Sequence, residues 1–258
     1  MPKLFNLATN KQGLIVFGGK ASADYGIVVS EAPTFEQPAR KQTIFTVPGR
    51  NGAIITQQDS WEDVTRKYRI WTTKEPGKDL ATSVNAFLAW LNSARSDSIY
   101  SPYKGYIRLE DNFEPDIFRM AYYSGANDVT NEMMQYGESE LTFTCRPERF
   151  YKEGEDVIEF SSGDWIGNPT LFKSKPLLHI EVASANTTVT LSCGVKSFEV
   201  TLDDYVNVDC ETMNVYRQNY ENKNSTFEGD FIELSPGTNM ISVWNASKIT
   251  IQPRYFTI

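Results

Sequence analysis

Chemistry in this chain would have to come from one histidine, three cysteines or a few pairs of acids. His179 lies in the alternating run Leu178-His179-Ile180. A hydrolytic triad would set a nucleophile and a carboxylate around it. No nucleophile signature surrounds Cys145, Cys193 or Cys210, so the histidine reads as structural. The cysteines are odd in number, widely spaced and free of any CxxC pair, a pattern of reduced, partly buried thiols rather than of a zinc site.

The acids Glu110, Asp111, Glu114, Asp116, Asp203 and Asp204 are the candidates for a glycosidase pair, which needs two carboxyl groups roughly 5 to 10 Å apart. All stand beside turn-like residues, where carboxylates are expected to be solvated. Gly18-Gly19 separates two β-type runs and lacks the helix and lysine of a phosphate loop. The sequons at Asn186, Asn224 and Asn245 read as turns and strand edges. Trp61, Trp165 and Trp244 lie near turn signals and could stack on sugars, though core or interface packing is the plainer expectation. No catalytic, cofactor-binding or metal-binding residue is assigned.

The elements that would position these groups are mostly strands. The 258 residues are 40% hydrophobic and 13% aromatic, enough for a real core in each of two domains. The net charge of −8, with Arg40-Lys41 and Arg66-Lys67 as the only adjacent basic pairs, argues against a nucleic-acid binder but not against DNA passing by. No apolar run approaches the roughly 20 residues of a membrane span. The start, Met1-Pro2-Lys3-Leu4-Phe5-Asn6, lacks the core of a signal peptide, so folding in a cytoplasm is expected.

In the first half, strand-type runs at 14–17 and 25–30 flank Gly18-Gly19 like a hairpin. The run 43–47 enters Pro48-Gly49, and Asn51-Gly52 follows at once; two turn pairs so close together read as an exposed, kinked loop. Residues 64–72 have strand composition. Leu80, Val84, Phe87, Leu88 and Leu91 repeat at helical spacing, with Asp79 as N-cap and Ser96-Asp97 ending the pattern. Strands resume at 99–100, 106–109, 117–123 and 137–145, where Pro147 is expected to stop pairing. A polar stretch at 152–156 sets the boundary near residue 150, giving domains 1–150 and 151–258. The second half holds seven or eight short strands, including runs at 231–234 and a hairpin about Asn245-Ala246-Ser247, and reads as a β-sandwich or jelly roll.

Four segments, in order, carry a resemblance: Val47-Pro48-Gly49-Arg50-Asn51-Gly52, the stretch 141–151 ending in Cys145-Arg146-Pro147 with Arg149 and Tyr151, Asn168 to Pro176, and Leu234-Ser235-Pro236-Gly237-Thr238-Asn239-Met240-Ile241. The chain resembles the distal tail proteins of siphophages, in the short form without an inserted carbohydrate-binding module. It departs from the pattern at Glu148. The resemblance implies a mainly β chain: a ring-forming N-terminal domain similar to tail-tube proteins, with one helix and a β-hairpin, and a C-terminal galectin-like or jelly-roll sandwich. It implies a structural virion protein rather than an enzyme. Such a protein would form a homo-hexamer at the virion tail tip after assembly in the host cytoplasm. It would join the tail-tube protein to the tail-associated hub or lysin protein, anchor receptor-binding or baseplate proteins, and leave a channel for DNA passage, with no membrane and no cofactor. Pro48, Gly49, Arg50, Asn51 and Gly52 are the interface candidates. The alternative is a carbohydrate-binding module that recognises host cell-wall saccharide.

Overall fold

A computed structural model describes residues 13–73, 79–94, 103–125, 130–132 and 136–258. The expected strand at 99–100 and the helix stop at Ser96-Asp97 lie outside the described residues. The chain divides into two compact units, Met1–Arg149 with Ile258, and Phe150–Thr257. The fold is mainly β.

The first unit carries β1 (Ile15–Phe17), β2 (Lys20–Ala21), β3 (Ile27–Val29), β4 (Arg40–Phe45), β5 (Ile54–Trp61) and β6 (Val64–Thr73). Helix α1 (Leu80–Ser93) follows, then β7 (Ile107–Asp111), β8 (Ile117–Tyr123), β9 (Thr130–Glu132) and β10 (Tyr136–Tyr151). The sheet order is β2-β1-β7-β8-β10-β6-β3, with β9 beside β10. β6 and β10 form the long antiparallel ladder, from Tyr136 opposite Thr73 to Cys145 opposite Val64. Alternation buries Tyr68 and Ile70 on β6 and Leu141, Phe143 and Cys145 on β10. Phe143 meets Phe17 and Tyr68 edge-on, at centroid distances of 5.0 and 6.0 Å.

Helix α1 covers this face. The Asp79 carboxylate accepts from the Thr82 N–H at 2.7 Å, the expected N-cap. Leu80, Phe87 and Leu91 are buried, and Val84 and Leu88 pack at the margin. Trp90 completes the stripe: its indole N–H donates to the Phe17 carbonyl at 3.1 Å, and its ring stacks on Tyr25. Gly18 and Gly19, both at positive φ, turn β1 into β2; β3, in the run 25–30, pairs instead with β6. β10 runs through Pro147 to Tyr151, although its ladder with β6 ends at Cys145. Proline therefore marks the end of that pairing without ending the strand.

The second unit is a two-sheet sandwich. One sheet has the order β11-β20-β13-β16-β17, formed by β11 (Ile158–Glu159), β13 (Leu177–Glu181), β16 (Tyr205–Asp209), β17 (Asn214–Tyr216) and β20 (Lys248–Gln252). The other has the order β12-β19-β14-β15-β18, formed by β12 (Trp165–Asn168), β14 (Thr187–Cys193), β15 (Lys196–Leu202), β18 (Phe227–Gly229) and β19 (Gly237–Trp244). Leu178, Ile180, Val206, Val208, Ile249 and Ile251 from the first share one core with Val189, Leu191, Phe198, Val200 and Ile241 from the second. Asn245-Ala246-Ser247 is not a hairpin turn: β19 and β20 belong to different sheets, so this short link crosses the sandwich. Residues 231–233 form no strand, and Leu234 makes a single bridge with Ser174.

Buried amides fix the entry to this unit. Asn168 Nδ2 donates to the Phe172 and Leu234 carbonyls at 2.8 and 2.9 Å. Its Oδ1 accepts from the Thr170 N–H and hydroxyl at 3.0 and 2.8 Å. Asn239 ties down the later turn in the same way, accepting from Ser235 N–H and donating to its carbonyl, each at 2.8 Å.

Candidate assembly interface

Among the described residues β4 and β5 pair only with each other, in a two-stranded sheet of their own. Residues 40–56 are exposed throughout. Ile44 stands opposite Ile55 and Phe45 opposite Ile54, so apolar pairs occupy both faces of the outer half, with Val47 just beyond. An isolated two-stranded ribbon is marginal in water. Contiguous exposed apolar surface of this kind marks an interaction site.

Pro48, Gly49, Arg50, Asn51 and Gly52 form the loop at the tip. The Val47 carbonyl accepts from the Arg50 N–H at 3.2 Å, closing a turn. Gly49 and Gly52 have φ of 79° and 80°, and no atom lies within 4 Å of where a Cβ would stand. They serve backbone conformation rather than close packing.

The root of the hairpin is pinned. The Ala39 carbonyl accepts from the Glu62 N–H at 2.8 Å, and the Arg40 guanidinium lies 4.9 Å from the Trp61 ring centre. The segment leading into β4 is held by Arg66, which alternation directs to the buried side of β6. Arg66 Nη1 donates to the Thr34 carbonyl at 3.4 Å and to Glu36 Oε2 at 2.9 Å. Its Nη2 donates to Asp111 Oδ2 at 2.7 Å, and its Nε to the Tyr68 hydroxyl at 2.8 Å. The Tyr68 hydroxyl in turn donates to Asp111 Oδ2 at 2.7 Å. Glu114 lies within ion-pair distance of Arg66, Arg119 and Arg149, at 3.2, 2.6 and 3.4 Å.

These contacts decide the chemistry of the acids. The turn-like sequence around Asp111 and Glu114 predicts solvated carboxylates, but both are largely buried and ion-paired. Burial alone would raise the Asp111 pKa, but the Arg66 charge and the hydrogen bonds from Tyr68, Arg66 and the Glu114 N–H hold it below the usual carboxylate range. Burial, and then Asp111, push the Tyr68 hydroxyl well up. A carboxyl kept ionised by arginine is the reverse of a general acid, which needs a raised pKa. The cluster is a clasp: it consumes its charges in holding Glu36 and Thr34, and hence the base of the hairpin, against the sheet.

The other sequence candidates are dispersed. His179 bonds Asn207 Oδ1 at 2.9 Å and Glu181 Oε1 at 3.2 Å on an outer sheet face, with no nucleophile among these partners. Asp204 pairs with Arg217, and Asp203 accepts from the Asn186 N–H at 3.1 Å. Cys145, Cys193 and Cys210 are free and buried; burial pushes the first and last up to about 12. Among the described residues no cluster of metal-binding side chains occurs, and no helix is long and apolar enough to cross a membrane. Asn186 and Asn245 adopt positive φ, and Asn224 Oδ1 accepts from the Val215 N–H at 2.6 Å, so the sequons are turn residues. Trp61 is half-buried under Arg40, whereas Trp165 and Trp244 are exposed. Arg66 was hidden in the sequence by its place in a basic pair; the strand alternation through Tyr68 and Ile70 was the signal that it points inward.

No protein-family model matches the chain, and comparison with curated proteins yields no match. Among solved structures, the chain is similar to the SPP1 Dit (gp 19.1) protein, described as a paradigm of the hub adsorption apparatus in phages infecting Gram-positive bacteria. The TM-score is 0.71 at 14% identity, over 95% of this chain and 99% of that one. It is also similar to a chain of the phage P2 baseplate in its activated conformation with Ca, with a TM-score of 0.53 at 11% identity, over 93% and 96% of the two chains. At these identities the likeness is one of fold, and it runs across both units.

Proposed function

We propose that this chain, with the fold of a siphophage distal tail protein, is a structural subunit of a phage tail tip. It forms a homo-hexameric ring through its first unit and sits between the tail tube and the tail-associated hub protein. The sandwich anchors receptor-binding or baseplate proteins, and the ring leaves a central channel through which DNA passes. Assembly takes place in the host cytoplasm and the finished ring resides in the virion tail tip.

The observation that carries this reading is the β4–β5 hairpin. Its apolar outer half, with Ile44, Phe45, Ile54 and Ile55, is left uncovered while its root is pinned by a buried ion cluster. A rigidly mounted, uncovered apolar ribbon is a connector for another copy, and such head-to-tail contacts close into rings when the rotation allows. The tip residues Pro48 to Gly52 complete that contact. A net charge of −8 suits a channel that DNA must traverse without sticking.

Light scattering and negative-stain microscopy of the purified protein, alone and mixed with tail-tube and hub proteins of the same phage, test the proposal. A six-membered ring is expected in at least one mixture. A monomer under all these conditions overturns it.

A further inference from the structure

We propose that the outer face of the β12-β19-β14-β15 sheet is a binding platform for a neutral saccharide, with Trp165 and Trp244 as stacking rings. This goes beyond the ring-forming role, which rests on the other unit. Alternation turns Ile166, Ile241, Leu191 and Phe198 into the core and leaves the intervening side chains facing out. Among those outward residues Trp165 is 64% exposed, Met240 47% and Trp244 55%. Large aromatic and sulfur-bearing side chains on a solvated sheet are costly unless something covers them.

Their arrangement identifies the cover. Trp165 and Met240 stand directly opposite each other, and Trp244 lies four residues further along β19, about 13 Å at the usual strand rise. Between these apolar ends the register sets Ser242 beside Ser192, and Trp244 beside Thr190. Ser192 is in turn opposite Ser197, and Thr190 opposite Glu199. The Thr190 hydroxyl bonds Glu199 at 3.3 Å, and Thr188 and Thr201 share a hydroxyl bond at 2.9 Å. A protein-binding patch has an apolar centre inside a polar rim. This face has the inverse pattern, aromatic ends about a strip of hydroxyls. It matches a chain of sugars, whose C–H faces stack on indole and whose hydroxyls both donate and accept.

Charge narrows the class. No lysine or arginine occupies an outward position of these four strands, and Glu199 stands opposite Glu228 at the far side. Phosphate-rich polymers and acidic sugars would meet repulsion there without a cation to hold them. Neutral saccharides meet none.

The test uses the full-length chain and a panel of neutral oligosaccharides of glucose, galactose and N-acetylglucosamine, followed by tryptophan fluorescence and titration calorimetry. Saturable binding by at least one of them is expected. Trp165→Ala and Trp244→Ala should each weaken it by about tenfold, while Trp71→Ala, on the first unit, should not. Circular dichroism and the oligomeric state of the variants should match the parent, which separates this outcome from any failure of the ring proposal. Failure of the whole panel to bind, binding unaffected by both sandwich substitutions, or preference for an anionic polymer would each overturn the proposal.

Discussion

Arg66 and Asp111 meet at 2.7 Å with both side chains buried, one from near the Val64 end of the β6–β10 ladder and the other from the end of β7. Sharing that contact with Tyr68, Glu36 and Glu114 makes the arginine a structural hub. Its stabilising value is best measured by removing one partner, because an orphaned buried charge is far more costly than an absent pair.

Arg66→Met should therefore destabilise the first unit by about 3–5 kcal/mol in urea titration. Hydrogen exchange should also quicken through residues 34–40, which lose their anchor at the root of the hairpin. Unchanged exchange there would separate the cluster from hairpin positioning.

The pH dependence has a definite sign. Asp111 is held below its ordinary pKa, so its contribution is complete above the unfolded carboxylate value of about 4 and is lost as pH falls through the folded value. Urea midpoints measured downward from neutrality should fall below about pH 4, and Asp111→Asn should flatten that acid limb while lowering stability at neutrality. A parallel acid limb in the variant would assign the effect to other carboxylates.

Burial pushes Cys145 and Cys210 up to about 12 and also raises Cys193. Iodoacetamide at mildly alkaline pH should leave all three thiols unmodified in the native protein and alkylate them in urea. Fast labelling of the native chain would contradict this packing.

Ile44→Asp combined with Ile55→Asp alters residues that are exposed, so unfolding free energy should move by no more than about 0.5 kcal/mol per site. Ring formation should nevertheless be lost. A variant that still forms rings would exclude the hairpin as the connector.

Asn168 makes four hydrogen bonds from a buried amide, and Asn168→Ala strands the Thr170 N–H and the two carbonyls that it serves. The sandwich should lose about 1–3 kcal/mol, read by calorimetry. Little change would mean that water replaces the amide.

Local patterns were legible in the sequence wherever short-range physics decides the outcome. The Asp79 cap, the Phe87–Leu91 stripe and the β alternation of Leu141, Phe143 and Cys145 all follow from spacing alone. Partners chosen from afar were not legible. Nothing near Arg66 announces Glu36 or Asp111, thirty and forty-five positions away. The link at Asn245-Ala246-Ser247 has the composition of a hairpin turn, yet the strands it joins find partners in opposite sheets. The tip glycines Gly49 and Gly52 were readable as turns, but that the ribbon they close lies uncovered is a property of the assembled fold. Trp165 and Trp244 were visible as aromatics near turns, and only strand register could set them on one face, with Met240 opposite Trp165 and Ser242 on the way to Trp244.

On the proposed assembly, the β4–β5 ribbon would also govern how long a free subunit survives. Among the described residues each of its strands has one margin with no partner strand beside it, and an open margin next to apolar side chains is the template on which cross-β aggregates grow. Arg40 and Lys41 lie at its root, and the apolar tip is guarded by Pro48 and the single charge of Arg50. Productive docking and self-aggregation thus compete for the same strands. On the proposed assembly, the concentration of partners at the moment of synthesis would decide between them and favour prompt incorporation over storage as free subunits.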